Sequence, residues 1–226
     1  MSKIIFSPHI DDAFFSLGGS ILNWGDVVGE DVIVVNVFSK SNFTSNGLKD
    51  VDEVTQLRKQ EELKNVEVSG SKVKFIDFPE ALLRGHKWVD TYPQNIVDTD
   101  LEYVEKIKQV ILKYNCEGNE LFFPLAIGNH TDHQIVHKAV IELISDGVLK
   151  VEYVFYEDLP YANSFSLPDL VENLGLVPFQ EQIDIDKKLK LCENYTSQRN
   201  EEWLKSIKDH AFSPQKQEFF ERIWKK

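Results

Sequence analysis

Residues Val32 to Phe38 read Val-Ile-Val-Val-Asn-Val-Phe, apolar on both faces of an extended segment. A strand of that kind needs cover on both sides, which a parallel sheet between helical layers supplies. Further β-branched or aromatic runs stand at Ile4 to Ser7, Val73 to Phe78, Leu121 to Phe123 and Val151 to Tyr156. Amphipathic stretches separate them, at Asp12 to Trp24, Asp50 to Val68, Asp100 to Tyr114 and Asp132 to Ser145. Each opens on an acidic residue, as helix N-termini favour. Strand and helix in alternation predict βαβ units, and so an α/β, Rossmann-like three-layer fold with a mostly parallel sheet. The tail from Ile183 to Lys226 reads as a strand followed by a charged helix on the same domain. With no linker and no internal repeat, residues 1–226 read as a single domain.

Charge and composition narrow the function. Lys plus Arg total 25 against 37 Asp plus Glu, a formal net charge of −12. Phosphate backbones need a basic face, so nucleic acid is not the expected partner. The 2 cysteines, Cys116 and Cys192, lie far apart and form no disulfide framework. No apolar run approaches the roughly 18–20 residues of a membrane span. The opening Met1-Ser2-Lys3-Ile4-Ile5-Phe6 turns polar too soon for a signal peptide. A cytoplasmic protein is expected, with an oligomer allowed.

In open α/β sheets ligands bind beyond the carboxyl ends of the strands, where strand order reverses. Two such loops are rich in metal ligands. Ser7-Pro8-His9-Ile10-Asp11-Asp12 follows the first strand, and Pro124 to His133 follows the fourth, with His137 a turn further on. Of the 6 histidines, His9, His130, His133 and His137 fall in or beside these loops. A catalytic zinc takes three protein ligands and leaves a position open. His9 and Asp12 from the first loop and His133 from the second make such a set if the two strands are neighbours. Asp11 is then the candidate base toward water, and His130, as an imidazolium, the candidate donor to an oxyanion. Asp11 and Asp12 also stand where helix caps stand. His137 sits on the edge of an apolar stripe, where a supporting or core histidine fits better than a fourth ligand. His86 and His210 read as surface residues. Gly18 and Gly19 suit close helix packing, since no G-x-G-x-x-G accompanies them.

The segment Ser7-Pro8-His9-Ile10-Asp11-Asp12-Ala13 with Gly18-Gly19 resembles the Pro-His-x-Asp-Asp signature of the PIG-L/LmbE-like family of zinc-dependent N-acetylglucosaminyl deacetylases. His130-Thr131-Asp132-His133 is similar to that family's His-x-Asp-His. Arg58 to Glu61, Tyr156 to Tyr161 and Tyr195 to Gln198 resemble further segments in the same order. The resemblance implies a single divalent metal, usually Zn2+, and removal of an acyl group from an amide nitrogen. It implies His9, Asp12 and His133 as ligands, Asp11 as general base, His130 as oxyanion stabiliser, and Asp132 as the partner that orients a histidine. Arg58 falls where members contact substrate, and Glu80 where an aspartate often holds the sugar. Ile10 and Ala13 depart from residues common in the family, at positions that are not ligands.

Three long loops, Ser39 to Lys49, Pro79 to Thr99 and Glu157 to Gln180, are the candidate substrate loops. Their basic and aromatic residues Arg84, His86, Lys87, Trp88, Tyr161 and Phe165 suit a sugar ring with a phosphate, or else pack the loops themselves. The expected activity is hydrolysis of the acetamide of an N-acetylated sugar, nucleotide-linked forms included, releasing acetate and a free amino sugar. The alternatives are an amidase of the same family acting on another amide, such as a thiol conjugate, and an inactive metal-binding module. The same ligands accept Fe2+ or Co2+.

Overall fold

The computed structural model describes residues 1–27, 29–88, 91–93, 96–198 and 200–226. Parts of the expected loop Pro79 to Thr99 therefore lie outside the described residues. In chain order the elements begin with β1 (Ser2–Ser7), α1 (Asp12–Gly25) and β2 (Asp31–Asn36). A small hairpin, β3 (Phe43–Thr44) with β4 (Gly47–Leu48), precedes α2 (Val51–Ser69) and β5 (Lys72–Phe75). Next come α3 (Leu101–Leu112), β6 (Asn119–Pro124), α4 (Thr131–Ser145) and β7 (Glu152–Tyr156). Last are α5 (Leu170–Asn173), β8 (Val177–Gln182), α6 (Ile185–Glu193), α7 (Glu201–Ala211), β9 (Phe212–Ser213) and β10 (Glu218–Lys225).

The main sheet runs β5-β2-β1-β6-β7-β10-β8. Strands β5 through β7 in that order are parallel neighbours, as the apolar runs predict. Alternation along β1 splits its side chains between two cores. Ile4 and Phe6 pack with Ile107 and Val110 of α3 and Val136 of α4. Ile5 packs on the other face, with Phe14 and Ile21 of α1 and Leu191 of α6. Helices thus cover both faces, giving the three layers. Deleting one such buried side chain costs about 2–5 kcal/mol, a large share of a domain's net stability.

The far side of the sheet differs from expectation. The tail was expected to give a strand and then a helix. Instead β8 ends before Ile183, two helices follow, and β10 inserts between β7 and β8, antiparallel to both. Strand β8 is largely exposed and β10 carries charges, so neither shows the apolar signature of the parallel strands.

One of those charges has a structural task. Leu17 has non-helical backbone angles, φ −124° and ψ 17°, which break α1 in the middle. Buried Glu221 of β10 accepts from the freed N–H groups of Gly19 (2.9 Å) and Ser20 (2.8 Å), capping the second half of the helix. Lys188 of α6 neutralises it at 2.6 Å. Gly19 has no room for a side chain, since a Cβ would meet Ile183 at 2.6 Å, which bears out the packing role expected of it.

The acidic helix starts also divide. Asp50 caps α2 through the N–H groups of Asp52 and Glu53. Asp11 makes no cap bond, and Asp100 turns instead to Arg84 and His86. The carboxylates at the carboxyl edge of the sheet are thus spent elsewhere. Parallel pairing of β1 with β6 sets their following loops side by side at the switch point.

Candidate active site

The first loop is fixed by its own hydrogen bonds. Ser7 Oγ donates to the His9 carbonyl at 2.7 Å and accepts from the Ala13 N–H at 3.0 Å. Asp12 Oδ2 accepts from the His9 N–H at 2.8 Å. Asp11 is turned into the cavity at φ 133°, a region that costs a side-chain-bearing residue of order 1–3 kcal/mol. The second loop uses positive φ at Ala126, Gly128 and Asn129 before α4 begins. Gly128 is obligatory there, because a Cβ would lie 2.9 Å from the Tyr161 side chain.

The two loops bring His9, Asp12 and His133 together. His9 Nε2 donates to Asp132 Oδ2 at 2.8 Å, which leaves Nδ1 3.3 Å from Asp12 Oδ2. His133 Nδ1 donates to Asp158 Oδ1 at 2.6 Å, which leaves Nε2 3.1 Å from the same Asp12 oxygen. His133 Nε2 is buried and has no hydrogen-bond partner. Two imidazoles, each held from behind by a carboxylate, thus turn their other nitrogen toward one carboxylate oxygen. That is the donor set and bracing of a divalent-metal centre, and the orphaned nitrogen fits it. His130 also approaches: one ring nitrogen from each of His9, His130 and His133 lies within 4.8 Å of the others.

The carboxylates of the cluster draw positive charge toward it. Burial works to keep His9 neutral, but its bonds to Asp12 and Asp132 raise it to about 10. Burial alone would lift Asp12, yet His133 and His9 hold it well below the usual carboxylate range. Asp11 is pushed well up by burial, against the pull of the Arg58 guanidinium 3.6 Å away.

His130 departs from the expected imidazolium. Burial, together with the charge on His9, holds its pKa well below the ordinary histidine value. Its Nδ1 accepts from the Asp132 N–H at 3.3 Å, capping α4, so the neutral ring carries its proton on Nε2. It remains a donor, but an uncharged one.

The other expected residues separate into two groups. Arg58 lines the cavity, pairs through Nη1 with Glu80, and donates from Nη2 to the Ile10 carbonyl at 2.8 Å. Glu80 lines it too, but its second oxygen takes the Ser41 hydroxyl at 2.5 Å, so both oxygens are engaged. Tyr161 lines the cavity edge-on to His133. Arg84 does not. Its guanidinium is turned inward to Asp132 at 2.7 Å and Asp100 at 2.8 Å, where the pairing of buried charges outweighs any exposed position. His86 is likewise tied to Asp100 at 2.8 Å. His210 lies 2.6 Å from Glu157, so neither is a free surface histidine. Phe165 lines a different groove, beside β8. His137 donates to the Pro124 carbonyl at 2.8 Å and packs, half-buried, on Phe155, a supporting rather than a ligating position.

Asp158 is the residue that sequence reasoning missed as part of the site. It holds His133 with Oδ1 and takes the Ile127 N–H with Oδ2 at 3.0 Å. Its place just after β7, beside β6 on the ligand edge, shows its role only once the strand order is known.

The model of one family, PIG-L: GlcNAc-PI de-N-acetylase, matches residues 4–144, which carry both histidine- and aspartate-rich loops. This chain belongs to the PIG-L family. A curated relative, 2'-N-acetylparomamine deacetylase of Streptomyces fradiae, is 28% identical over 222 residues, covering 92% of this chain and 77% of its own. The zinc-inhibited form of teicoplanin deacetylase Orf2 superposes with a TM-score of 0.78 at 20% identity, over 99% of this chain and 97% of that one. GalB, the 4-carboxy-2-hydroxymuconate hydratase from Pseudomonas putida, superposes with a TM-score of 0.60 at 16% identity, over 99% and 95%. The PIG-L fold thus accommodates more than one chemistry, and the side chains must choose.

Proposed function

We propose that residues 1–226 form one metal-dependent deacetylase domain that hydrolyses the acetamide of an N-acetylated amino sugar, releasing acetate and the free amine. The observation that carries the reading is the convergence of His9 Nδ1 and His133 Nε2 on Asp12, with Asp11 on the wall of the same cavity. His9, Asp12 and His133 would hold a divalent ion, Zn2+ in the first instance, with Fe2+ or Co2+ compatible with the same donors. Such an ion supplies Lewis acidity toward an amide carbonyl and lowers the pKa of water.

The chain's own residues do the rest. The Asp11 carboxylate takes a proton from the attacking water as the new C–O bond forms. His130 donates its Nε2–H to the oxygen that becomes anionic. The C–N bond then breaks, and Asp11 returns its proton to the departing amine. Asp132 fixes the orientation of His9, Asp158 fixes that of His133, and the Arg58–Glu80 pair meets the substrate at the inner end of the cavity.

Among the described residues, Arg58 is the one lysine or arginine that lines the cavity, and Glu80 already pairs with it. With Arg84 and His86 turned inward, a phosphate-bearing carrier loses the partners expected for it. The reading therefore favours a sugar without one. No described helix is long and apolar enough to cross a membrane. The free thiols of Cys116 and Cys192 and the net charge of −12 support a cytoplasmic enzyme acting on a small molecule rather than a nucleic acid.

The test is acetate release from a panel of N-acetylated sugars, free and nucleotide-linked, by metal-loaded protein with and without a chelator. Chelator-sensitive release is expected. Silence from protein that holds one ion per chain would overturn the deacetylase reading and favour the amidase of another amide.

A further inference from the structure

The outer wall of the cavity is fastened from helix α2. Glu61 on that helix is buried, at 1% exposure, and both its oxygens are taken. It accepts from the Thr196 hydroxyl (2.6 Å), the Ser197 N–H (2.9 Å) and the Ser197 hydroxyl (2.6 Å). The segment so held passes the constraint on. The Ser197 carbonyl accepts from the Ser45 N–H at 2.7 Å, and Gln198 Nε2 donates to the Phe43 carbonyl at 2.9 Å. Both bonds grip the β3–β4 hairpin. Phe43 in turn stacks on Trp88, with ring centroids 4.8 Å apart and planes 25° from parallel. Phe43, Trp88 and Gln198 all line the cavity, and Trp88 is 53% exposed. A two-residue hairpin strand and a half-exposed indole have little packing of their own to hold them.

We propose that Glu61 is a positioning residue for substrate binding: through Ser197 and Gln198 it sets the Phe43–Trp88 wall against which the non-reacting part of the substrate rests. This rests on the deacetylase reading above. Glu61 touches none of the reacting atoms, so it acts on binding and not on the chemical step. The same helix sends Arg58 to the inner end of the cavity one turn earlier. One rigid element thereby fixes the distance between the metal end and the aromatic end.

The test compares wild type with Glu61→Gln on free N-acetylglucosamine and on its p-nitrophenyl glycoside, whose aryl group supplies the non-reacting part that the wall would hold. The variant should raise KM for the glycoside about tenfold, the factor that one charge-assisted hydrogen bond represents, with kcat within about twofold and the free sugar little affected. Hydrogen exchange read on the same proteins should quicken in residues 43–48 and 195–198 and stay unchanged at the start of α4. Thr196→Val, which removes one of the three bonds and leaves the carboxylate, should give a smaller change of the same pattern. Unchanged exchange in the hairpin would overturn the proposal whatever the activity. So would an equal loss on both substrates, or a fall in kcat alone. If wild type turns over neither sugar, the panel of N-acetylated sugars decides the deacetylase reading, while the exchange result still decides whether Glu61 fastens the wall.

Discussion

The His133 imidazole is held by Asp158 through a 2.6 Å hydrogen bond at Nδ1, and that contact decides which ring nitrogen faces Asp12. Asp158→Asn replaces a charged acceptor with a neutral amide. Metal affinity should fall by about 10–100-fold, as when other carboxylates behind metal-bound histidines are lost. Zn2+ titration followed by calorimetry reads it. Affinity equal to wild type would show that Asp158 does not brace a metal ligand.

Asp11→Asn should separate binding from turnover. The variant should keep its metal, because His9, Asp12 and His133 are untouched. Turnover should drop by a factor of about 10² or more, the contribution of a general base. Metal content and acetate release are measured on the same preparation. A variant that turns over normally would move the base elsewhere.

Glu62 gives a pH test remote from the reacting atoms. It is buried on α2, where it accepts from Asn36 at 2.8 Å and from the Tyr195 hydroxyl. Burial raises its pKa from 4.5 to about 7, although both hydrogen bonds pull the other way. Between those two values the folded chain holds a proton that the unfolded chain has lost. The contribution of Glu62 to stability is therefore full below the unfolded pKa and declines as pH rises through the window, by on the order of 3 kcal/mol. Glu62→Gln removes the titration. In urea denaturation the variant should gain on wild type by that amount between pH 5 and pH 8. A constant difference between the two proteins would contradict it.

Lys188→Met leaves Glu221 buried without its counter-charge. A loss of about 3–5 kcal/mol is expected, as for other broken buried pairs. The denaturant midpoint measures it. A loss below about 1 kcal/mol, the scale of an exposed pair, would show that the Gly19 and Ser20 N–H groups suffice to hold the charge.

The parallel half of the sheet was legible because β2 and its neighbours are apolar on both faces. Residues such as Val34 and Val35, fully buried on opposite sides, leave the chain no other arrangement. The antiparallel half was not. Glu221 breaks the apolar pattern of β10, and its reason, a gap in helix α1, is a tertiary fact. The site divides the same way. The convergence of His9, Asp12 and His133 was legible because two loops after two neighbouring strands carry residues able to bind a metal. Asp158 was not, because a bracing carboxylate looks like any loop acid until the histidine beside it is seen. Arg84 was misread for the converse reason. An arginine in a long loop has the same sequence signature whether it faces a substrate or Asp132.

Helix α1 carries Asp12 in its first turn and takes the cap for its second half from Glu221, 202 residues beyond Gly19. The histidine- and aspartate-rich loops are therefore not a portable motif. Copied onto another scaffold with α1 alone, they would bring a helix that breaks at Leu17 with nothing to restart it. Contacts this distant in sequence carry a large loop-closure cost, which slows folding. Ion uptake during refolding should accordingly report the arrival of β10 in the sheet and not the formation of either loop.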